Sequence, residues 1–265
     1  MSLLIFKAVI LGIVEGLTEF LPVSSTGHLI LVNQWISFSE PFTQMFDVVI
    51  QLGAILAVVV YFWKKLWPFA SNQDERRVTL NIWYKTIVGV LPALFFGAML
   101  GDWIEERLFN PFVVAVALFL GGIVLVILRR EKLKIKINSL SELSFKTAFL
   151  IGLIQCLAMI PGTSRSAVTI IGALLLGASP LVAVEFSFWL AIPTMVAASS
   201  YSLLKHGLAI SGFEVIVLAV GFVVSFLVAL AVIRFFLDYI RRHDFRIFGY
   251  YRIALAILIG LWFIF

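Results

Sequence analysis

Residues 11–28 read Leu11-Gly12-Ile13-Val14-Glu15-Gly16-Leu17-Thr18-Glu19-Phe20-Leu21-Pro22-Val23-Ser24-Ser25-Thr26-Gly27-His28. The stretch is apolar enough for a membrane helix, yet it carries two carboxylates. Pro22 then removes a backbone donor and disfavours helix at Leu21. A helix broken in this way frees backbone N–H and C=O groups that lipid cannot satisfy, so the break is expected to be buried in protein or to line a polar cavity. The wider segment 3–32 reads as a helix–loop–helix hairpin that enters the membrane and returns to the side it came from.

A second apolar segment, 147–176, has the same plan, broken at Pro161-Gly162-Thr163-Ser164-Arg165-Ser166. Leu11-Gly12-Ile13-Val14-Glu15-Gly16-Leu17 is echoed by Ile151-Gly152-Leu153-Ile154-Gln155-Cys156-Leu157. With a one-residue gap, Pro22 aligns with Pro161 and Ser24-Ser25-Thr26 with Ser164-Arg165-Ser166. Further on, Phe46-Asp47 falls about where Val184-Glu185 does.

The rest of the chain is a membrane protein by composition. It has 265 residues, 62% hydrophobic and 13% charged, against roughly 45–50% and about 25% in soluble domains. Apolar runs at 43–63, 86–100, 112–128, 181–204, 213–236 and 248–265 read as spans, leaving no room for a soluble domain. Near the N-terminus no small-residue cleavage site follows Lys7, so that stretch reads as retained structure. One cysteine, Cys156, allows no internal disulfide and no zinc cluster.

The net charge of +5 points to membrane orientation, not to nucleic acid. Lys64, Lys65, Arg76, Arg77 and Lys85 fall in one stretch. Arg129, Arg130, Lys132, Lys134, Lys136 and Lys146 fall in the next, and Arg234, Arg241, Arg242, Arg246 and Arg252 in a third. The positive-inside rule places these three regions in the cytoplasm. The first hairpin then enters from outside and the second from the cytoplasm, three spans follow each, and both termini lie outside. The expected fold is all-α: a polytopic membrane protein of six transmembrane helices and two re-entrant hairpins in an inverted repeat. It is a single domain over 1–265, with halves about 1–128 and 147–265 and a cytoplasmic linker at 129–146. Inverted repeats of this kind place sites near the midplane, where broken helices meet.

Glu15 and Glu19 share one helix face. A carboxylate at mid-membrane costs roughly 2.5–3.5 kcal/mol or more unless it meets water, a metal or a cation. The pair could hold a divalent ion, Mg²⁺ or Ca²⁺, since hard cations prefer oxygen ligands. Ser24, Ser25, Thr26 and Gly27 offer hydroxyls and free N–H groups at a helix start, which suits phosphate. His28 can act as acid or base near neutral pH. Arg165, between Ser164 and Ser166, has a donor fork that matches phosphate oxygens; a purely structural pairing with Glu15 or Glu19 is the other reading, and both can hold together. Asp47, Gln51 and Glu185 are expected to play supporting parts at most, and Trp63, Trp67 and Trp83 to anchor at the interface. Two carboxylates, an imidazole, hydroxyls and one guanidinium make a phosphoryl-transfer inventory. The residues alone do not name the leaving group.

The stretch 11–28 resembles the first motif of the bacterial undecaprenyl-diphosphatase family, also called bacitracin-resistance proteins. Pro161-Gly162-Thr163-Ser164-Arg165-Ser166 resembles its second. The likeness extends through Phe46-Asp47-Val48-Val49-Ile50-Gln51-Leu52-Gly53 and Glu185-Phe186-Ser187-Phe188 to essentially the whole chain. It departs at Ala167, where the family pattern has glycine.

The resemblance implies hydrolysis of undecaprenyl diphosphate to the monophosphate that carries cell-wall precursors, and with it bacitracin resistance. It implies a multi-pass protein of the bacterial cytoplasmic membrane, a site open to the outer face and a divalent metal. By resemblance Glu15 and Glu19 serve as metal or acid–base groups, Ser25 as candidate nucleophile with His28 as its base, and Arg165 as phosphate clamp. A transporter or flippase of lipid phosphate is the competing class, distinguished by flux without hydrolysis. A scaffold gives no reason for Glu15, Glu19 and Arg165. Expected partners are the isoprenoid diphosphate lipid and the bilayer; pairing as a homodimer is left open.

Overall fold

The computed structural model describes residues 2–69, 72–128, 131, 133–206 and 212–264. The architecture is all-α: α1 (Ser2–Thr18), α2 (Ser25–Val32), α3 (Glu40–Tyr61), the single turn α4 (Trp63–Leu66), α5 (Gln73–Leu108), α6 (Pro111–Ile127), α7 (Phe145–Gln155), α8 (Arg165–Leu175), α9 (Pro180–His206), α10 (Gly212–Arg242) and α11 (Arg246–Ile264). The described residues contain one isolated β-bridge, parallel, between Ile137 and Ala178. Both apolar segments with a proline are broken, between α1 and α2 and between α7 and α8, but the helices end earlier than expected, at Thr18 and Gln155, and residues 25–28 and 165–166 of the expected breaks already belong to α2 and α8.

Among the described residues five helices, α3, α5, α9, α10 and α11, are long and apolar enough to cross a membrane. The sixth expected span is α6, an apolar helix of 17 residues, about 26 Å long against a hydrocarbon core of about 30 Å.

Helix α5, at 36 residues, runs well beyond the expected 86–100. Its first turns carry Glu75, Arg76 and Arg77, which form helix well, and Asp74, whose charge suits the helix start. The Asn72 side chain caps them by accepting from the Asp74 N–H at 3.0 Å. Arg76, Arg77 and Lys85 are therefore helical, not loop residues. Lys85 is buried and donates to the Ser141 carbonyl at 2.9 Å. Likewise α10 carries Arg234, Arg241 and Arg242 within its helix. Arg129, Arg130 and Lys132 of the expected linker lie outside the described residues.

The packing exchanges partners between the two segments. α1 and α3 both lie against α10, α7 and α9 both lie against α5, α3 meets α9, and α6 meets α11. Small residues set the closest approaches, as in membrane bundles. A Cβ on Gly12 would come within 2.8 Å of the Gly221 carbonyl, and one on Gly152 would collide with the Gly89 backbone. The aromatic core around α9 includes Phe186, Phe188 and Trp189, all essentially buried, and Phe20 meets Phe188 edge-on at 5.3 Å. That contact seats the first break beside α9.

Candidate active site

The two breaks share a backbone device. Ser24 and Ser164 are, among the described residues, the non-glycine residues with positive φ, at 72° and 71°. Each caps the helix that follows: Ser24 Oγ accepts from the Gly27 N–H at 3.3 Å, and Ser164 Oγ from the Ala167 N–H at 3.2 Å. L-residues avoid this region, at a cost of order 1–3 kcal/mol, and such strain clusters at functional sites. Its effect here is to turn the chain sharply so that α2 and α8 begin at the breaks. Their first-turn N–H groups have no intrahelical acceptor and suit an anion. Ala167 sits inside the first turn of α8, while the reversed backbone is carried by Gly162 (φ 88°) and Ser164. The missing glycine at 167 therefore asks for no unusual conformation.

Glu19, Ser25 and Arg165 converge. The Ser25 hydroxyl donates to Glu19 Oε2 at 2.6 Å, and Arg165 Nη2 donates to Glu19 Oε1 at 3.1 Å. Both partners of that ion pair are nearly buried, with 11% and 9% of their side chains exposed. Arg165 Nη1 donates to the Ser187 carbonyl at 3.0 Å, and the guanidinium lies 5.9 Å from the centre of the Phe20 ring. Its Nε–H is buried with no acceptor among the described residues, so the held fork keeps a donor for an anion. The structural pairing of Arg165 thus goes to Glu19, not Glu15.

Glu15 is fully buried, and neither carboxylate oxygen has a donor among the described residues. It lies one turn before Glu19, whose N–H donates to the Glu15 carbonyl at 3.0 Å. No group of three or more His, Cys, Asp or Glu side chains able to hold an ion occurs among the described residues. The residues nevertheless fit a divalent cation of the kind that binds one or two carboxylates and takes its other ligands from phosphate and water. Glu15 has free lone pairs for such an ion, whereas Glu19 has both oxygens engaged.

The remaining candidates are distributed around this centre. His28 Nδ1 lies 2.7 Å from the Ser24 carbonyl, which can only accept, so Nδ1 carries the proton. Nε2 lies 2.6 Å from the Tyr251 hydroxyl, and the two rings stack. The Ser25 hydroxyl is therefore joined to Glu19, and both His28 nitrogens have other partners. Ser166 is tied across to the first break, donating to the Leu21 carbonyl at 2.9 Å, and Ser164 Oγ is 3.1 Å from Ser166 Oγ. Thr26 is half-buried in the first turn of α2. Asp47 meets Asn33 at 3.4 Å, and Glu185 pairs with Lys65 at 3.0 Å.

Sequence reading missed several contributors. Thr169 Oγ1 and Ser187 Oγ lie 2.7 Å apart beneath Arg165; a hydroxyl inside the buried run Phe186-Ser187-Phe188 was the available signal. Arg252, expected among the cytoplasmic charges, is instead fully buried within α11. It donates to the carbonyls of Pro22 (3.4 Å), Gly162 and Thr163 (3.1 Å each), Ala117 (3.2 Å) and Leu118 (3.3 Å). One guanidinium thus ties the first break, the second break and α6 together.

Comparison with known proteins agrees with this geometry. The family described as bacitracin resistance protein BacA matches residues 8–258. The chain is 53% identical over 259 residues to undecaprenyl-diphosphatase 1 of Clostridioides difficile (strain 630), covering 96% of this chain and 94% of that one. It is 46% identical to an undecaprenyl-diphosphatase of Enterococcus faecalis, covering 96% and 95%. It is 50% identical to that of Limosilactobacillus fermentum, covering 96% of each. A match over nearly the whole length, on a helical membrane architecture with two paired breaks, means that the chain belongs to the bacitracin resistance protein BacA family.

Proposed function

We propose that this protein is an undecaprenyl-diphosphate phosphatase, releasing inorganic phosphate and the monophosphate lipid that carries cell-wall precursors. The relatives' names support the substrate. The observation that carries the chemistry is the buried chain Ser25–Glu19–Arg165 at the start of two helices.

In this reading the terminal phosphate lies between the first turns of α2 and α8, against Arg165. Glu19 takes the Ser25 proton as Ser25 Oγ bonds to the terminal phosphorus. The bond from that phosphorus to the bridging oxygen breaks, and the monophosphate lipid leaves. Water then cleaves the phosphoserine, giving inorganic phosphate. Arg165, held by Glu19 and the Ser187 carbonyl, meets the developing charge without reorganising. His28 pins the carbonyl of strained Ser24 and so acts on the turn that aims Ser25. A divalent ion bound at Glu15 would neutralise phosphate charge.

We read the two halves, about 1–128 and 147–265, as an inverted repeat in a bacterial cytoplasmic membrane, with the site open to the outer face. The exchanged packing of α1 on α10 and α7 on α5 supports the repeat, as do the matched φ angles of Ser24 and Ser164. The same repeat favours a lipid-phosphate transporter as the alternative. Phosphate release from a long-chain isoprenyl diphosphate by the purified protein, with and without chelator, decides. Chelator-sensitive release that is lost in Glu19→Ala supports the hydrolase. No release from folded protein, with flux in sealed vesicles, overturns it.

A further inference from the structure

We infer that Tyr251 is a positioning residue of the candidate active site: its hydroxyl sets the tautomer of His28 and, through it, the turn that aims Ser25. The catalytic part of this inference rests on the diphosphatase reading. The Tyr251 hydroxyl lies 2.6 Å from His28 Nε2, and the two rings stack with an interplanar angle of 8° and centres 5.5 Å apart. His28 Nδ1 gives its proton to the Ser24 carbonyl at 2.7 Å. Nε2 of the neutral ring is then an acceptor, and the phenol O–H donates to it. Which nitrogen of an imidazole carries the proton is set by the bond that the other makes. A relay of hydrogen bonds thus runs from Tyr251 through His28 to the residue before Ser25.

The second break isolates the purpose of this relay. Ser164 reverses the chain at φ 71°, as Ser24 does at 72°, but Val168 stands where the first break has His28. There a backbone bond closes the helix, the Val168 N–H donating to the Ser164 carbonyl at 3.1 Å. At the first break the matching bond, from the His28 N–H to the Ser24 carbonyl, is longer at 3.4 Å, and the imidazole is the closer donor. The left-handed serine therefore forms without an imidazole at that position. What differs is the residue that follows: a hydroxyl bonded to Glu19 in one break, a guanidinium in the other. The tyrosine–histidine pair thus adjusts the turn that carries the hydroxyl. Tyr251 is 47% exposed, so burial does not hold it in place. Its neighbour does: Arg252 is fully buried and donates to the Pro22, Gly162 and Thr163 carbonyls. This fixes α11 to both breaks one residue from the phenol.

Without the Tyr251 hydroxyl, Nε2 loses its donor and the tautomer with its proton on Nε2 becomes accessible. In that form a lone pair on Nδ1 faces the Ser24 carbonyl oxygen and cannot hold it. The test is nuclear magnetic resonance of full-length protein in detergent, labelled at the histidine nitrogens, together with turnover of undecaprenyl diphosphate. The chain has three histidines, and His28→Gln assigns the signal. Tyr251→Phe keeps the stacked ring at a half-exposed position, so the variant folds; Tyr250→Phe, at a position 59% exposed, is the control. The wild type is expected to show His28 with its proton on Nδ1 alone, and Tyr251→Phe to add a population with the proton on Nε2. In Tyr251→Phe kcat should fall about three- to tenfold, the weight of one neutral hydrogen bond, while KM stays within about twofold. Tyr250→Phe should change neither. A wild-type His28 protonated on Nε2 overturns the inference. So does a Tyr251→Phe variant that keeps either the single tautomer or the wild-type kcat. No hydrolysis by the wild type overturns the diphosphatase reading and the catalytic role with it; the spectrum, which needs no substrate, still decides whether Tyr251 sets His28.

Discussion

Ser25 donates its hydroxyl proton to one oxygen of Glu19 at 2.6 Å, across the break that separates their helices. Because Arg165 holds the other oxygen, one carboxylate sets both the proposed nucleophile and the proposed phosphate clamp. Glu19→Gln keeps the shape but cannot take the proton. Phosphate release is expected to fall about 10²–10⁴-fold, the usual weight of a general base. Glu19→Ala also leaves a buried guanidinium uncompensated and is expected to lose roughly 3–5 kcal/mol of stability. Thermal unfolding alongside turnover separates the two effects.

Ser25→Ala divides covalent from direct attack. Mass spectrometry of protein quenched during turnover should find phosphate on Ser25 in the wild type. A Ser25→Ala variant that keeps most of its activity would exclude serine as nucleophile and leave water beside Glu19. Under the covalent reading its kcat drops at least about 10²-fold.

Metal dependence should focus on Glu15. Its oxygens have no donor among the described residues, so Glu15→Gln is expected to raise the Mg²⁺ or Ca²⁺ concentration for half-maximal release by about tenfold or more. The wild type should lose activity in chelator and regain it on adding the ion. An unchanged ion requirement in Glu15→Gln would remove this residue from the ion's shell.

Arg252→Ala strips a partner from the Pro22, Gly162 and Thr163 carbonyls at the two breaks, while those of Ala117 and Leu118 lie within α6 and keep their helical bonds. At about 1–3 kcal/mol for each unsatisfied buried group, the loss approaches a typical total stability of about 5–15 kcal/mol. Expression and the unfolding midpoint should both drop sharply. Arg252→Lys, a point charge without the fork, should restore only part. A midpoint equal to wild type in Arg252→Ala would show that these bonds contribute nothing.

Gly152→Val puts bulk where the Gly89 backbone already sits. Overpacking of this kind costs about 1–3 kcal/mol, and here backbone must move. The expected result is a lowered unfolding midpoint with reduced activity, whereas Gly97→Val, with nothing near its Cβ position, should leave the midpoint close to wild type.

Much of this was legible in the chain because local chemistry announces it. Pro22 and Pro161 fall in the breaks, and the aligned Ser24 and Ser164 are the two residues that adopt nearly equal positive φ. The ends of α5 and α10 were misread because charged residues end an apolar pattern without ending a helix. Arg252 was misread for a related reason: beside Arg241, Arg242 and Arg246 it looks like one more cytoplasmic charge. Its acceptors are backbone carbonyls near residues 22, 117 and 162, and carbonyls carry no side-chain signal. The partner of Ser25 escaped likewise, since residues 19 and 25 meet only after the chain reverses at Ser24.

Every carbonyl that Arg252 holds precedes it in the chain. During synthesis the two strained turns and α6 are made long before the guanidinium that joins them. Until α11 is made, the breaks lack this clasp, so the candidate site is complete only with the last helix. A nascent chain short of its final helix carries Glu19, Ser25 and Arg165 but not the guanidinium that ties the two breaks together.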